Sequence, residues 1–124
     1  MTKKREHSPD KLVDTIIDAL KDLKADDIVC VDLKKVSGAV CKYFIICNGT
    51  SNTHVSSLAS NVQEETIEKL GEKVWKKEGY QNAQWLLLDY ADVVVHVFQK
   101  EYRDFYQLEQ LWADAKITRI ADVL

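Results

Sequence analysis

The spacing of apolar residues near the start of the chain predicts an amphipathic helix over residues 9–24. Ser8 and Pro9 suit a helix start, because serine caps a helix and proline fits its first position. Five apolar residues then follow at helical spacing and define one face of the helix: Val13, Ile16, Ile17, Leu20 and Leu23.

Two apolar runs after this helix predict strands. Residues 27–33 are rich in β-branched side chains, and residues 43–47 have no polar position. A strand with one face in water alternates apolar and polar residues. We therefore expect the second run to be a central strand that is covered on both faces.

Residues 43–79 predict a strand, a helix and a further strand. Residues 48–52 offer several capping side chains, and helical apolar spacing then runs up to Gly71, a natural helix stop. Val74 and Trp75 are assigned to the strand that follows. A crossover of this kind is right-handed when its two strands are parallel.

A hairpin and a last helix complete the predicted elements. Residues 84–89 and 93–98 are strands joined by three residues, which indicates an antiparallel hairpin. Residues 101–116 predict a helix whose apolar face holds four residues: Phe105, Leu108, Trp112 and Ala115. The expected fold class is α/β (α+β), with a mixed five-stranded sheet flanked by helices.

The length of 124 residues fits one domain. We expect residues 1–124 to form it, with a core over about residues 9–116 and a short C-terminal tail over residues 117–124. No apolar run approaches the roughly 20 residues of a membrane-spanning helix. Acidic residues also occur early in the chain, which argues against an organellar transit peptide. We therefore expect a cytoplasmic protein with no membrane partner.

The charge pattern shows no basic face of the kind that wraps nucleic acid. The formal net charge is −3, and the basic residues are scattered apart from two short pairs, Lys34-Lys35 and Lys76-Lys77. No direct nucleic-acid readout is expected. If the partner is a nucleoprotein particle, we expect the chain to contact one of its proteins.

Few residues suggest catalysis. The loop Gly49-Thr50-Ser51-Asn52-Thr53-His54 lacks the lysine of a phosphate-binding P-loop, and capping alone explains its residues. No pair of carboxylates follows it, as a metal-dependent nucleotidyltransferase would need. The three cysteines form no C-x-x-C pair, and His96 is expected to be a packed or surface strand residue. We expect no catalytic residue, no cofactor and no metal site.

Aromatic residues around the hairpin are the strongest binding signal. Trp85, Tyr90 and Phe98 cluster there. Tryptophan and tyrosine are enriched at interface hot spots, because they bury a large area with few rotamers to restrict. The alternative is that all three belong to the core.

The first strand of the hairpin is apolar on both faces. Alternation places Trp85, Leu87 and Asp89 on one face, and Leu86 and Leu88 on the other. One face can pack in the core, while the other, beside an acidic turn, is suited to an interface.

Four segments in a fixed order carry a family resemblance: Asp27-Ile28-Val29, then Tyr43-Phe44-Ile45-Ile46-Cys47-Asn48-Gly49-Thr50-Ser51-Asn52, then Trp85-Leu86-Leu87-Leu88-Asp89-Tyr90-Ala91-Asp92-Val93-Val94-Val95-His96-Val97-Phe98, then Leu108-Glu109-Gln110-Leu111-Trp112. Together they resemble the Iojap family, whose bacterial members are the ribosomal silencing factors. The resemblance covers about residues 12–115.

The resemblance implies a binding factor with no known reaction. Family members dock on the large (50S) ribosomal subunit at ribosomal protein L-fourteen, prevent 30S–50S joining and so repress translation. The family fold is similar to that of nucleotidyltransferases without their catalytic carboxylates. The contact surface implied for this chain centres on Trp85 and Tyr90, with Asp89, Asp92 and Phe98 nearby.

One position departs from the family pattern. The family usually has glycine in the hairpin turn where this chain has Ala91. Alanine tolerates a positive φ less well than glycine. We therefore expect the turn to be mildly strained or differently shaped, which affects the pose of Tyr90.

Two other functions are compatible with the sequence. A large-subunit assembly factor would need the same docking site. A small nucleotidyltransferase or hydrolase would use the Gly49 loop and would need a carboxylate pair near it. A homodimer through an exposed strand or the hairpin is compatible with either binding role.

Overall fold

A computed structural model describes residues 9–79, 81–106 and 115–120 of the chain. Its elements follow one another in the order α1 (Pro9–Asp22), β1 (Asp26–Asp32), β2 (Tyr43–Gly49), α2 (Asn52–Leu70), β3 (Lys76–Glu78), β4 (Trp85–Asp89), β5 (Val93–Gln99), α3 (Lys100–Tyr106) and β6 (Lys116–Arg119). None of the helices in this described part combines the length and the apolar character needed to cross a membrane.

The strands form one mixed sheet in the order β3-β4-β5-β2-β1-β6. β2 and β5 pair in parallel at its centre, and every residue of β2 is buried. The other neighbouring strands pair antiparallel. The predicted fold class, a mixed sheet flanked by helices, is confirmed, and so is the prediction of a central strand covered on both faces.

In the described residues the sheet has six strands, so the prediction of five was wrong. The additional strand is β6, which pairs with β1 and includes residues 117–119, assigned above to a tail. Its four residues are all exposed and lack the apolar alternation by which a strand is recognised. β6 therefore depends on the open edge of β1 for its hydrogen bonds.

The last helix and β3 also differ from their predicted limits. α3 is described over Lys100–Tyr106, while Lys116, predicted as the helix end, begins β6. The middle of the predicted helix, with Leu108 and Trp112, lies outside the described residues. β3 begins at Lys76, one residue after Trp75.

The helix α2 is fixed at both ends by the residues that the sequence indicated. At its start, Oγ of Ser51 accepts a hydrogen bond from the N–H of His54 (3.1 Å). At its end, Gly71 has a φ of 65° and its N–H donates to the carbonyl of Ile67 (2.9 Å). Both are standard helix caps, which satisfy main-chain groups that have no partner inside the helix.

Two apolar clusters cover the two faces of the sheet. Helices α1 and α2 pack on the first face, over residues such as Ile45, Leu86 and Val95. The second face holds a smaller cluster that reaches α3 through Tyr102. Buried Arg103 also ties α3 to the sheet, because its Nη1 donates to Oδ1 of Asn48 (2.7 Å) and to the main-chain carbonyl of Asp27.

The turn between β4 and β5 carries strain at Ala91. The φ of Ala91 is 73°, in the left-handed region that favours glycine. The N–H of Asp92 donates to the carbonyl of Tyr90 across it (3.0 Å), which closes a three-residue turn. The N–H of Ala91 itself donates to Oδ1 of Asp89 (2.7 Å). The positive φ of Ala91 agrees with the expectation of a turn that is mildly strained or differently shaped.

We expect Ala91→Gly to raise the free energy of unfolding by about 0.5–1 kcal/mol. A left-handed alanine costs about 1–2 kcal/mol, and the greater freedom of glycine in the unfolded chain offsets part of that gain. Urea unfolding measures the change, with Ala39→Gly as a control, because Ala39 is a loop residue without positive φ. Equal or lower stability of Ala91→Gly would contradict the account of the turn.

Candidate functional site

The β4 strand presents different residues to the two faces of the sheet. Leu86 and Leu88 are fully buried in the first face. Trp85, Leu87 and Asp89 lie on the second face and are only partly buried. The predicted division of the strand into two faces is confirmed. We call the partly exposed residues Trp85, Leu87 and Asp89 the β4 strip.

The indole ring of Trp85 is held in place by β5. Its Nε1–H donates to Nδ1 of His96 (3.1 Å). Its ring stacks on Phe98, with centroids 5.0 Å apart and planes at 23°. Trp85 and Phe98 are direct partners across the two strands, and His96 is the diagonal neighbour two residues away. The tryptophan is therefore an anchored side chain and presents its ring in one orientation.

His96 is a neutral side chain inside the second face. Phe44 meets it edge-on at 4.8 Å, and Trp85 and Phe98 lie close to it. Burial lowers its pKa from 6.5 to about 4, because the charged form loses its hydration. Since Nδ1 accepts from the indole, the imidazole proton belongs on Nε2. Of the two environments expected for His96, packed or surface, the packed one applies, whereas its hydrogen bond to Trp85 was missed.

Tyr90 and Phe98 occupy the core. Tyr90 is 2% exposed, and its hydroxyl shares a hydrogen bond with Oγ1 of Thr66 on α2 (2.9 Å). Phe98 is fully buried beneath Trp85. The alternative of core packing applies to both, so the expectation that they contact a partner directly is corrected. Phe98 supports the Trp85 ring, and Tyr90 fixes the base of the turn.

Two acidic side chains lie at the turn end of the β4 strip. Asp89 and Asp92 are both partly exposed. Asp89 caps the turn through Ala91, as described above. The main-chain carbonyl of Asp92 accepts from the N–H groups of Lys42 (2.8 Å) and Tyr43 (3.1 Å). These bonds hold the turn against the start of β2, so the carboxylates sit on a fixed piece of main chain.

A glycine that the sequence analysis did not single out brings the preceding segment close to Trp85. Gly79 has a φ of 92°. A β-carbon at this position would collide with the main-chain carbonyl oxygen of Trp85. Only glycine allows this approach without moving the backbone. The signal in the sequence was an isolated glycine between two predicted strands.

The loop before α2 is a capped turn. Besides the Ser51 cap, the N–H of Thr50 donates to Nδ1 of His54 (2.9 Å), and Nε2 of His54 is bonded to the carbonyl of Leu23 (2.7 Å). The loop donors at Thr50 and His54 are therefore used within the protein. Within residues 9–79, 81–106 and 115–120, no group of three His, Cys, Asp or Glu side chains could hold a metal ion.

The cysteines are poor nucleophiles. Burial raises the pKa of Cys30 and of Cys41 to about 11, and that of Cys47 to about 12, from an ordinary value of 9.0. The reactive form of a cysteine is the thiolate, so these side chains stay in the unreactive thiol form at neutral pH. Cys41 is partly exposed in the loop between β1 and β2.

We expect His96→Gln to reduce the acid sensitivity of the fold. In the parent, the unfolded chain binds a proton near pH 6.5 and the folded chain only near pH 4, so stability falls as the pH drops through this window. Between about pH 7 and about pH 5 this group alone should remove roughly 2 kcal/mol. Denaturant unfolding at both values should show a correspondingly smaller loss in the variant. Equal losses in both proteins would contradict a buried neutral His96.

Comparison with known proteins gives one consistent result. A family model described as "Ribosomal silencing factor during starvation" (RsfS) matches residues 5–123. The ribosomal silencing factor RsfS of Bacillus subtilis (strain 168) is 42% identical over 99 residues, which cover 80% of this chain and 82% of that protein.

More distant and structural relatives agree with this match. A crystal structure of a protein from Chromobacterium violaceum has a TM-score of 0.81 at 31% identity and covers 94% of this chain and 97% of its own. A mouse protein named "Mitochondrial assembly of ribosomal large subunit protein 1" is 28% identical over 115 residues, which cover 88% of this chain and half of that protein. The chain therefore belongs to the RsfS family of ribosomal silencing factors.

Proposed function

We propose that this chain binds the large ribosomal subunit through ribosomal protein L-fourteen and prevents the small subunit from joining, which represses translation. The β4 strip, with Asp92 beside it, forms the contact surface. The proposal follows the family resemblance. The observation that carries it is the orientation of Trp85, which is partly exposed yet fixed by His96 and Phe98.

A fixed aromatic ring suits a binding hot spot. Ordering a mobile side chain on binding costs roughly 0.5–1.5 kcal/mol, and a side chain that is already held avoids that loss. Leu87 extends the apolar surface along the same face of β4. The strip is therefore suited to the desolvated centre of an interface.

The acidic end of the strip suits a basic partner. Asp89 and Asp92 are partly exposed and held in position by the turn. Opposite charges at the rim of an interface speed the encounter of two proteins and set their orientation. A basic ribosomal protein fits this arrangement.

We propose a binding role and no catalysis. The loop before α2 uses its donors at Thr50 and His54 internally, and the three thiols have raised pKa values. In the described part of the chain, no group of three His, Cys, Asp or Glu side chains could hold a metal ion. The name of the mouse relative supports a second role, in assembly of the large subunit.

The two binding roles differ in the particle on which they act. A repressor binds mature large subunits and inhibits their joining with small subunits. A factor for assembly alone binds precursors and leaves the joining of mature subunits unchanged. Light scattering of purified mature subunits, mixed with and without the protein, distinguishes them, and an unchanged joining signal would reject the repressor.

We expect Trp85→Ala to weaken binding to large subunits by about thirtyfold or more, since truncating a central aromatic typically costs 2 kcal/mol or more. Co-sedimentation with purified large subunits measures the loss, and near-ultraviolet circular dichroism checks the fold. Ile67→Ala is the matched control, because Ile67 is an exposed apolar residue on α2 (51%). Unchanged affinity of a folded Trp85→Ala protein would reject the β4 strip as the contact.

Tyr90→Phe tests the corrected role of the neighbouring aromatic in the same assay. It removes only the buried hydroxyl that bonds to Thr66, so it should lower stability by about 1 kcal/mol and leave subunit binding unchanged. A loss of binding without a loss of stability would mean that the Tyr90 hydroxyl reaches the partner.

We expect the double variant Asp89→Asn with Asp92→Asn to associate more slowly at low salt and to approach the parent at high salt. Asparagine keeps a carbonyl acceptor for the turn, and removal of rim charge mainly affects the association rate. Stopped-flow mixing with large subunits at several salt concentrations measures the rates. Asp18→Asn with Asp22→Asn, exposed on α1, removes equal charge elsewhere. If both double variants slowed association equally, the effect would come from the net charge of the protein and not from the position of Asp89 and Asp92.

A further inference from the structure

A second tryptophan lies at the surface near the turn end of the β4 strip. Trp75 is 74% exposed, although tryptophan side chains are highly buried on average in folded proteins. Three exposed lysines surround it in sequence: Lys73, Lys76 and Lys77. We call these four residues the Trp75 surface. Its position in the sequence predicts a strand residue and does not by itself indicate a functional role.

The main chain of this surface is fixed in the sheet. The N–H of Trp75 donates to the carbonyl of Asp89 (2.9 Å). The next residues form β3, in which Lys76 pairs with Asp89 and Lys77 with Leu88. β3 lies at the end of the strand order, so it borders the rest of the sheet on one side only. The exposed indole is therefore displayed from an anchored backbone.

The charge of this surface is opposite to that of the chain as a whole. Residues 73–78 contain three lysines and one glutamate, a formal charge of +2, whereas the whole chain carries −3. The Nζ of Lys76 lies 3.6 Å from a carboxylate oxygen of Glu78, and both side chains are about 60% exposed. Such an exposed pair is screened by water, so Lys76 can turn towards an external anion.

An exposed aromatic ring among lysines suits an unpaired nucleotide. A base stacks on the ring through its flat face, whatever its sequence, and lysines neutralise the neighbouring phosphates. A basic protein would suit this surface poorly, because it would meet the lysines with like charge. The acidic carboxylates of the turn lie beside it and suit such a protein. The two signs together fit a place where a basic protein and RNA meet.

We propose that the Trp75 surface binds unpaired ribosomal RNA next to the protein contact of the β4 strip, with a base stacked on Trp75. Phosphates would lie near Lys73 and along the edge strand β3, from which Lys76 and Lys77 point to opposite faces of the sheet. This proposal rests on the proposed docking on the large subunit. It concerns contact through stacking and charge, and so it is independent of base sequence. It is therefore compatible with the expectation that the chain does not read a nucleic-acid sequence directly.

The first experiment uses a fluorescently labelled oligouridylate, an unstructured RNA, and measures anisotropy at low salt. Trp75→Ala should lower the affinity about tenfold, because stacking on an aromatic ring contributes about that much or more per base. Lys76→Gln with Lys77→Gln should reduce the slope of log affinity against log salt by roughly 0.7 per lysine. Lys34→Gln with Lys35→Gln, an exposed pair elsewhere, should leave the affinity nearly unchanged.

Equal affinities of the parent and Trp75→Ala for oligouridylate would overturn the proposal. So would equal losses from the two lysine pairs, because the binding would then reflect general charge. The exposed residue Val40 (83%) provides a further control, and Val40→Ala should bind like the parent.

The second experiment separates RNA contact from protein contact. Trp75→Ala should weaken binding to intact large subunits but leave binding to isolated ribosomal protein L-fourteen unchanged. An equal loss with the isolated protein would overturn the RNA proposal and assign Trp75 to the protein contact. The protein could also bind RNA through Trp75 and yet fail to bind large subunits. That result would support the RNA proposal and reject the proposed docking.

Discussion

The parallel pairing of β2 with β5 is the constraint on which the rest of the structure depends. Both strands are apolar on two faces, so each face of the sheet needs a cover. A parallel pair also needs a long connection, and here the connection supplies α2, β3 and β4. The helix covers the first face, and β4 returns beside β5 as the other strand of a hairpin. The pairing of two strands thereby determines where the candidate site lies.

The β4 strip is the margin of the second apolar cluster. Phe98 is a full member of that cluster, whereas Trp85 and Leu87 pack against it and stay partly exposed. The same aromatic contacts therefore contribute to the fold and orient the exposed ring. This overlap explains why an aromatic hairpin looked like both core and interface in the sequence: Phe98 and Tyr90 are buried in the core, whereas Trp85 stays partly exposed and is the residue we propose for the interface.

Local patterns in the sequence predicted much of this structure. Features that depend on contacts between distant segments could not be predicted in this way. The caps of α2 and the central position of β2 follow from residues next to each other in the chain, whereas the expectation of strain at Ala91 followed from the family resemblance. β6 has no apolar pattern and exists because β1 offers an edge. The burial of Tyr90 depends on Thr66, 24 residues away, and no periodicity reveals that partner. The residues of the candidate site could thus be predicted from the sequence, but how deeply each side chain is buried could not.

Because Trp85 and His96 share a hydrogen bond, the residue type that is tolerated at one position depends on the residue at the other. Replacing the tryptophan by a residue without a ring N–H would leave a buried imidazole acceptor unpaired, and an unsatisfied buried polar group costs roughly 1–3 kcal/mol. Replacing the histidine by an apolar residue would instead remove the acceptor of the indole Nε1–H. During sequence divergence, the two positions should consequently change together or not at all. Any redesign of this surface for a different partner must therefore treat Trp85 and His96 as one unit and change both or neither.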